Sequence, residues 1–327
     1  MSADPLAEVV TLLQPAAHSS KLVECAGQWR THREGTGEPF FCAVLEGCCR
    51  ITVEGRPPMT LEAGDFLLIP ALRDLVNEGL VGPPDGVTQD SVQVSPGYFR
   101  VGDQEGRVAL RAQIGHCSFA SPNAELLVPL LPQIVVVREE PRLAALMQLV
   151  HGETRARRPA RDLVLERLLK VLLIEALRCA GETTSAPGLA RGLADDRLAA
   201  ALCALHARPG FSWTVTKLAT EAALSRSAFF ARFTRTVGLP PMEYLLAWRM
   251  ALARRLLNAH ELGMDQIAER VGYSSASSFT VAFARYVGIS PARYARGHSA
   301  SLILTDQSLQ LSSSRYAITD RKLTYED

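Results

Sequence analysis

Five of the chain's seven cysteines, Cys25, Cys42, Cys48, Cys49 and Cys117, fall before residue 120. Thiols oxidise reversibly, so this cluster could read an oxidant through a thiol pair. The cysteine count is odd and no CxxC occurs, which argues against a disulfide scaffold and against a zinc finger. Cys48 and Cys49 are neighbours; on a strand they point to opposite faces and do not pair with each other. Taken singly, each cysteine also reads as a small buried hydrophobe. A different chemistry sits near the other end. ALSRSAFFARFTRTVGLPPMEYL, residues 223–245, and VGYSSASSFTVAFARYVGISPARYAR, residues 271–296, share the pattern FxxxFxxxVGxxPxxY. The anchors Phe229, Phe233, Val237, Gly238, Pro241 and Tyr244 recur as Phe279, Phe283, Val287, Gly288, Pro291 and Tyr294, each offset by 50 positions. From Asp196 to Arg296 the chain holds 13 Lys and Arg against 6 Asp and Glu, although its overall net charge is only +1. One third is basic and the remainder acidic, and a basic segment favours a polyanion through counterion release.

The elements that position these residues are legible. Val215 to Ala222, the turn 223–225 and Arg226 to Arg235 read as helix, short turn, helix. Leu218 and Ala219 face Phe229 and Phe233, and the small Ala219 lets the two helices cross closely. Ser225 can cap the second helix and leave its N-terminal amides near a phosphate. The second copy repeats this with Ile267, Ala268, Gly272, Tyr273, Phe279 and Phe283. Each copy is a helix-turn-helix pair, whose second helix is shaped for a major groove. Between them a helix from Glu243 to His260 would be about 27 Å long. Such a spacer could set two groove-reading helices about one DNA turn apart, roughly 34 Å. Two helical hairpins with phenylalanine cores would also suit an all-α packing domain; their duplication within the basic third favours DNA.

Upstream, Asp4 to Leu13 reads as a short helix with Leu6, Val9, Val10 and Leu13 on one face. From Phe40 to Phe119 short strands follow, FFCAVLEG, CCRITVEG, MTLEAGDFLLIP, SVQVSPGYFRVG and RVALRAQIGHCSF, broken by Gly and Pro turns as in a sandwich or barrel. After Asn123 the pattern is helical. Ala160 to Ala180 is so apolar that it must bury more than one face, within its own domain or against a second copy. Residues 182–194 read as a linker and Asp195 as the next N-cap. Residues 299–327 are polar and aperiodic, the pattern of a disordered tail. No apolar run approaches the roughly 20 residues that span a bilayer. The N-terminus has acids and no basic region, so a cytoplasmic location is the default.

Residues 196–296 resemble the DNA-binding domain of the AraC/XylS family of bacterial transcription regulators. The family pattern IAxxVGFxxxSxFxxxFKxxxGxxPxxYR stands here as IAERVGYSSASSFTVAFARYVGISPARYAR. Residues 4–120 resemble the cupin-type domain of one branch of that family, on FFCAVLEG and LEAGDFLLIP. The fold implied is α+β: an N-terminal cupin-like β-barrel plus helices, then an all-α domain with two helix-turn-helix units. The regions are a cupin-like regulatory domain over 1–122, helices for dimerisation over 123–181, the linker, and the DNA-binding domain over 195–298.

Carried over position by position, the resemblance turns Arg226, Ser227, Phe230 and Ala231 of the first reading helix toward DNA, and Ser275, Ser277, Ser278, Thr280 and Val281 of the second. Arg226 suits a guanine O6/N7 contact, Ser and Thr several base edges, and Phe230 or Val281 a thymine methyl. Arg232, Arg235 and Arg285 suit the phosphate backbone. Arg249, Arg254 and Arg255 read equally well as solvated. Ala231 stands where relatives often carry arginine. The serine-rich second unit should supply position and affinity, and the first most of the discrimination.

Metal-binding cupins use His and Glu ligands. Here Cys42 and Asp74 stand near the expected histidines and His32, His116 and His151 look isolated, so neither a metal nor another cofactor is expected. The reading is a regulator, not an enzyme, that binds double-stranded DNA as a homodimer and contacts RNA polymerase. Its barrel would sense a small effector or oxidant, with Cys25, Cys42, Cys48, Cys49, Asp74 and Cys117 as candidates. A metal-dependent cupin enzyme with a helical appendage, and a barrel that only dimerises, are the alternatives.

Overall fold

The computed structural model describes residues 4–35, 37–84, 86–155, 158–183 and 187–297. The tail expected over 299–327 lies outside the described residues. Contacts divide the chain into two compact units, Met1–Arg208 with Trp213–Leu245, and Pro209–Ser212 with Leu246–Asp327. The division falls inside a helix and not in the segment 182–194.

The first unit opens with helix α1, Pro5–Leu13, capped by Asp4, whose carboxylate accepts from the Ala7 amide at 3.1 Å. Its expected stripe of Leu6, Val9, Val10 and Leu13 is buried. Strands β1 (Pro15–Ala26), β2 (Arg30–Glu34), β3 (Phe40–Val53), β4 (Met59–Glu62), β5 (Phe66–Ile69), β6 (Asp74–Glu78), β7 (Val92–Ser95), β8 (Tyr98–Gly102) and β9 (Val108–Phe119) follow. After helix α2 (Ala124–Leu127) comes β10, Val135–Val137. The sheet runs β10-β5-β3-β9-β1-β8-β7; β3 also pairs with β4 and β6, and β6 with β2. All pairings are antiparallel except β1 with β8. The result is the curled, cupin-like barrel.

Two expectations change here. FFCAVLEG and CCRITVEG are not two strands joined by a turn but one strand, β3. Gly47 takes φ +78°, and the register against β9 shifts between Val44 and Glu46. A glycine in the left-handed region marks a bulge as readily as a turn. A Cβ at Gly47 would collide with the Ala109 carbonyl. The bulge also reverses which residues face inward: Phe40, Cys42 and Val44 before it, Cys49, Ile51 and Val53 after it. Secondly, β1 and β2 precede the expected start of the strand region, and β10 interrupts the helical one. PAAHSSKLVECA lacks clean alternation, because a bulge between Ala17 and Ser19 breaks its period.

Helices α3 (Pro141–Arg155) and α4 (Arg161–Thr183) pack together, and α4 also meets β1 and β10. Burial of Leu169, Leu172, Leu173, Ala176 and Leu177 covers more than one face of α4, while Leu163 and Val171 stay exposed. The linker expected over 182–194 is corrected in its second half. Leu189–Leu193 forms helix α5, with Leu189 and Ala190 buried. Gly192 lies so close to Leu202 and Val237 that a Cβ would crowd both.

The barrel core explains the thiols. Cys25, Cys42, Cys49 and Cys117 are buried and only Cys48 of the five is part-exposed. Burial pushes Cys25, Cys49 and Cys117 up to about 12 and Cys42 well above its ordinary value. Oxidant sensors work through the thiolate, so these four side chains lack the electrostatic setting that chemistry needs. With a thiol-specific disulfide reagent at neutral pH, Cys48, Cys179 and Cys203 are expected to react in the native protein. The other four should react only on denaturation; rapid labelling of any of them in native protein would contradict the packing described.

Candidate nucleic-acid interface

Helix α6, Asp196–Ala207, is capped by Asp195, which accepts from the amides of Arg197 and Leu198 at 3.2 and 3.3 Å. Helices α7 (Val215–Glu221) and α8 (Arg226–Val237) form the first hairpin. Helix α9, Pro241–Ala259, follows; α10 (Met264–Arg270) and α11 (Ala276–Val287) form the second hairpin. Each reading helix starts at a serine. Ser225 accepts from the Ala228 amide at 3.3 Å, and Ser275 from the Ser278 amide at 3.1 Å. Each ends at a left-handed glycine, Gly238 at φ +91° and Gly288 at φ +85°.

The aromatic cores repeat almost contact for contact. Phe229 and Phe233 lie 5.5 Å apart between ring centres, and Phe233 meets Tyr244 edge-on at 5.8 Å. In the second copy, Phe279 and Phe283 lie 5.6 Å apart and Phe283 meets Tyr294 at 5.7 Å. The turns differ. Leu224 N–H donates to the Ala219 carbonyl at 2.9 Å, and Tyr273 N–H to the Ala268 carbonyl at 2.8 Å. These first-helix positions are offset by 49 residues, whereas the phenylalanines are offset by 50. The second turn therefore holds one residue more, at Ser274 just before the cap. Gly272 in that turn, at φ +83°, leaves no room for a Cβ beside the Arg249 guanidinium.

With the phenylalanines pointing inward, α8 exposes Arg226, Ser227, Phe230, Ala231 and Arg235, and α11 exposes Ser277, Ser278, Val281 and Arg285, with Thr280 half-buried. Val281 is 68% exposed and Phe230 45%, so two large apolar side chains stand out on the faces that the family resemblance turns toward DNA. Three expected roles shift. Arg232 spends its Nε–H on Asp195 at 2.6 Å, which leaves a phosphate contact to its Nη groups alone. Burial opposes ionisation of Asp195, but Arg232 and the α6 amides together hold its carboxyl below the usual range. Ser275 and Ser278 spend their hydroxyl protons on each other's cap, Ser275 Oγ–H on Ser278 Oγ at 3.1 Å and Ser278 Oγ–H on the Ser275 carbonyl at 2.9 Å. Both retain acceptor capacity only.

The helices also carry polar residues whose roles the sequence left hidden. Arg249 donates to the carbonyls of Pro209 and Phe211, both at 2.8 Å, and Arg254 is buried with its guanidinium 5.5 Å from the Tyr294 ring centre. His206, with a fully buried side chain, bridges Glu8 Oε2 and the Tyr244 hydroxyl at 2.8 Å each. Because the carboxylate accepts, His206 Nδ1–H donates to Glu8 and Tyr244 O–H donates to Nε2. Only a histidine flanked by an acid 198 residues away could have hinted at this.

The barrel encloses a cavity of about 140 Å³. Of the expected effector residues only Cys25 lines it. Asp74 instead accepts from His32 at 2.6 Å on the surface. None of the three histidines thought isolated is so: His116 accepts from Arg33 at 2.7 Å and His151 meets Gln113 at 2.6 Å. Among the described residues no group of three or more His, Cys, Asp or Glu is placed to hold a metal. No helix among them is long and apolar enough to cross a membrane.

A cupin-like barrel followed along the chain by two capped, aromatic-cored helix-turn-helix hairpins defines a DNA-binding transcription regulator. A family model described as Cupin matches residues 4–181, and one described as Helix-turn-helix domain matches residues 218–297. A Streptomyces lividans protein named as an AraC-like transcription regulator is 35% identical over 300 residues, covering 89% of this chain and 97% of its own. One so named from Streptomyces antibioticus is 36% identical, covering 89% of this chain and 98% of its own. The HTH-type transcriptional regulator AlkR of Acinetobacter baylyi is 28% identical, covering 83% and 92%. The chain belongs to the AraC-like family of DNA-binding transcription regulators.

Proposed function

We propose that α8 and α11 are the groove-reading helices of this regulator, and that the barrel cavity holds the small effector that governs it. The observation that carries the first part is the twofold recurrence of one device: a serine-capped helix with its phenylalanines buried and a polar or apolar reading face left bare. Arg226 reads a base from the first turn of α8, Ser277 and Thr280 make hydroxyl contacts from α11, and Phe230 and Val281 meet thymine methyls. Arg235 and Arg285 hold phosphates, while Arg232 acts indirectly by fixing Asp195 and with it the start of α6. The regulator works as a homodimer through the helices of residues 123–181, where Leu163 and Val171 remain uncovered on α4, and it contacts RNA polymerase. It has no catalytic role.

The test is a binding titration on selected and random duplexes across a salt series. Arg226→Ala is expected to cost about 1–3 kcal/mol on the selected site and relax preference at one base pair. Arg235→Ala and Arg285→Ala are expected to weaken both duplexes alike and lower the salt slope by about one unit each. Equal losses on both duplexes for Arg226→Ala would sink its role as a base reader.

A further inference from the structure

Charges on the barrel strands come mostly in pairs. Arg30 meets Glu78 at 2.7 Å, and Arg111 bridges Glu24 and Glu46 at 2.8 and 2.5 Å. Lys21 and Arg33 break that pattern. Both line the cavity and both are partly buried. Among the described residues neither forms an ion pair. Lys21 Nζ lies 4.5 Å from the Phe99 ring centre, and Arg33 Nη1 donates to the neutral acceptor His116. Asp90 reaches the rim of the cavity but is exposed and pairs with neither. Burial lowers the affinity of Lys21 for its proton and Arg33 lowers it further; burial does the same to Arg33. Two like charges withdrawn together from water are unfavourable unless an anion joins them.

The rest of the wall says what else the anion carries. Val23, Phe40, Leu75, Val101 and Leu110 supply apolar surface beside the polar Thr31, Gln89 and Ser91, a mixed wall that suits an organic anion better than a bare inorganic ion. At about 140 Å³ the space compares with the roughly 150 Å³ cavity that accepts benzene. Asn77 also lines it, and Asn77 Oδ1 is buried without a hydrogen-bond partner. Buried acceptors are nearly always satisfied, so this one calls for a donor from the occupant.

We propose that the barrel cavity binds a small organic carboxylate, its anionic end held between Lys21 and Arg33, its compact apolar body against the strands, and a hydroxyl or N–H donor directed at Asn77. This rests on the reading that the barrel is an effector site and assigns that effector a chemical class. The unpaired cations are then a standing instability that the effector relieves.

The experiment is calorimetric titration of the full-length protein with cyclic and linear carboxylic acids of about five to eight carbons, sized to the cavity. Each acid is used with and without a ring or chain hydroxyl, beside its neutral amide and inorganic phosphate. The hydroxy acids are expected to bind best, with the amides at least about tenfold weaker, as loss of a charge-assisted contact implies. Lys21→Met is expected to abolish the preference for acid over amide while raising the melting temperature of the ligand-free protein. Arg33→Gln should act in the same direction, and Asn77→Leu should erase only the advantage of the hydroxyl. Amides binding as tightly as acids would overturn the anion assignment and leave the effector site standing. Failure of the whole panel to bind protein that still binds DNA would overturn both, and phosphate binding as tightly as the acids would remove the organic body.

Discussion

Phe233→Ala is expected to lower the stability of the first compact unit by about 3–5 kcal/mol, the usual cost of emptying a fully buried aromatic site. Phe233 is 1% exposed and lies between Phe229 and the edge-on ring of Tyr244. Its loss removes the only aromatic joining α8 to the start of α9 in that triad, and the surrounding helices cannot close the gap. DNA binding should fall on every sequence, in contrast to the selective loss from Arg226→Ala. Because the barrel and the first hairpin share one compact unit, the urea midpoint followed by barrel tryptophan Trp29 should drop together with the helical signal. An unchanged midpoint would mean that the triad does not hold the hairpin. Phe283→Ala, its counterpart in the second unit, should impair binding without moving the barrel transition.

The second large effect belongs to His206. Replacement by leucine leaves the Tyr244 hydroxyl buried without its acceptor and Glu8 without its donor, at a cost of about 2–4 kcal/mol. Burial holds the His206 pKa below its ordinary 6.5 despite the opposing influence of Glu8. The folded protein therefore takes up this proton less readily than the unfolded chain. Stability from the neutral imidazole is complete above about pH 6.5 and is lost as the pH falls below it toward the lower folded value. Urea midpoints between about pH 7.5 and 5.5 should decline for the parent and decline less for His206→Gln. Parallel slopes for the two proteins would remove His206 as the titrating group. The bridge joins α1, ahead of the barrel, to the core of the first DNA-binding hairpin, so a change that strains α1 reaches Tyr244 in two hydrogen bonds.

The helical half was legible because its rules are local. Asp195 and Ser225 are caps that the sequence announces, and the phenylalanine spacing names the buried faces of α8 and α11. What stayed hidden required partners far apart in sequence. Nothing near Arg232 says that it is tied to Asp195, and Glu8 and His206 are distant in sequence. The barrel was legible as short strands but not in its true edges. A bulge and a turn both ask for glycine, so Gly47 read as the end of a strand that in fact continues. The same bulge decides that Cys49 faces inward and Cys48 outward. The cavity residues Lys21, Arg33 and Asn77 lie on strands whose irregular alternation concealed which side faces in.

The longer turn of the second hairpin bears on any attempt to treat the two units as interchangeable parts. Exchanging residues at the constant offset of 50 would align the phenylalanines but misplace Ala219 and Ala268 by one position. A transplanted α10 would then meet its partner helix a third of a turn out of phase, near 100°. Splicing inside the cap-to-cap interval, from Ser225 or Ser275 through Gly238 or Gly288, avoids the mismatch, because both borders are matched structural landmarks. Operator preference should therefore be portable between the units as a cassette that leaves each native turn in place.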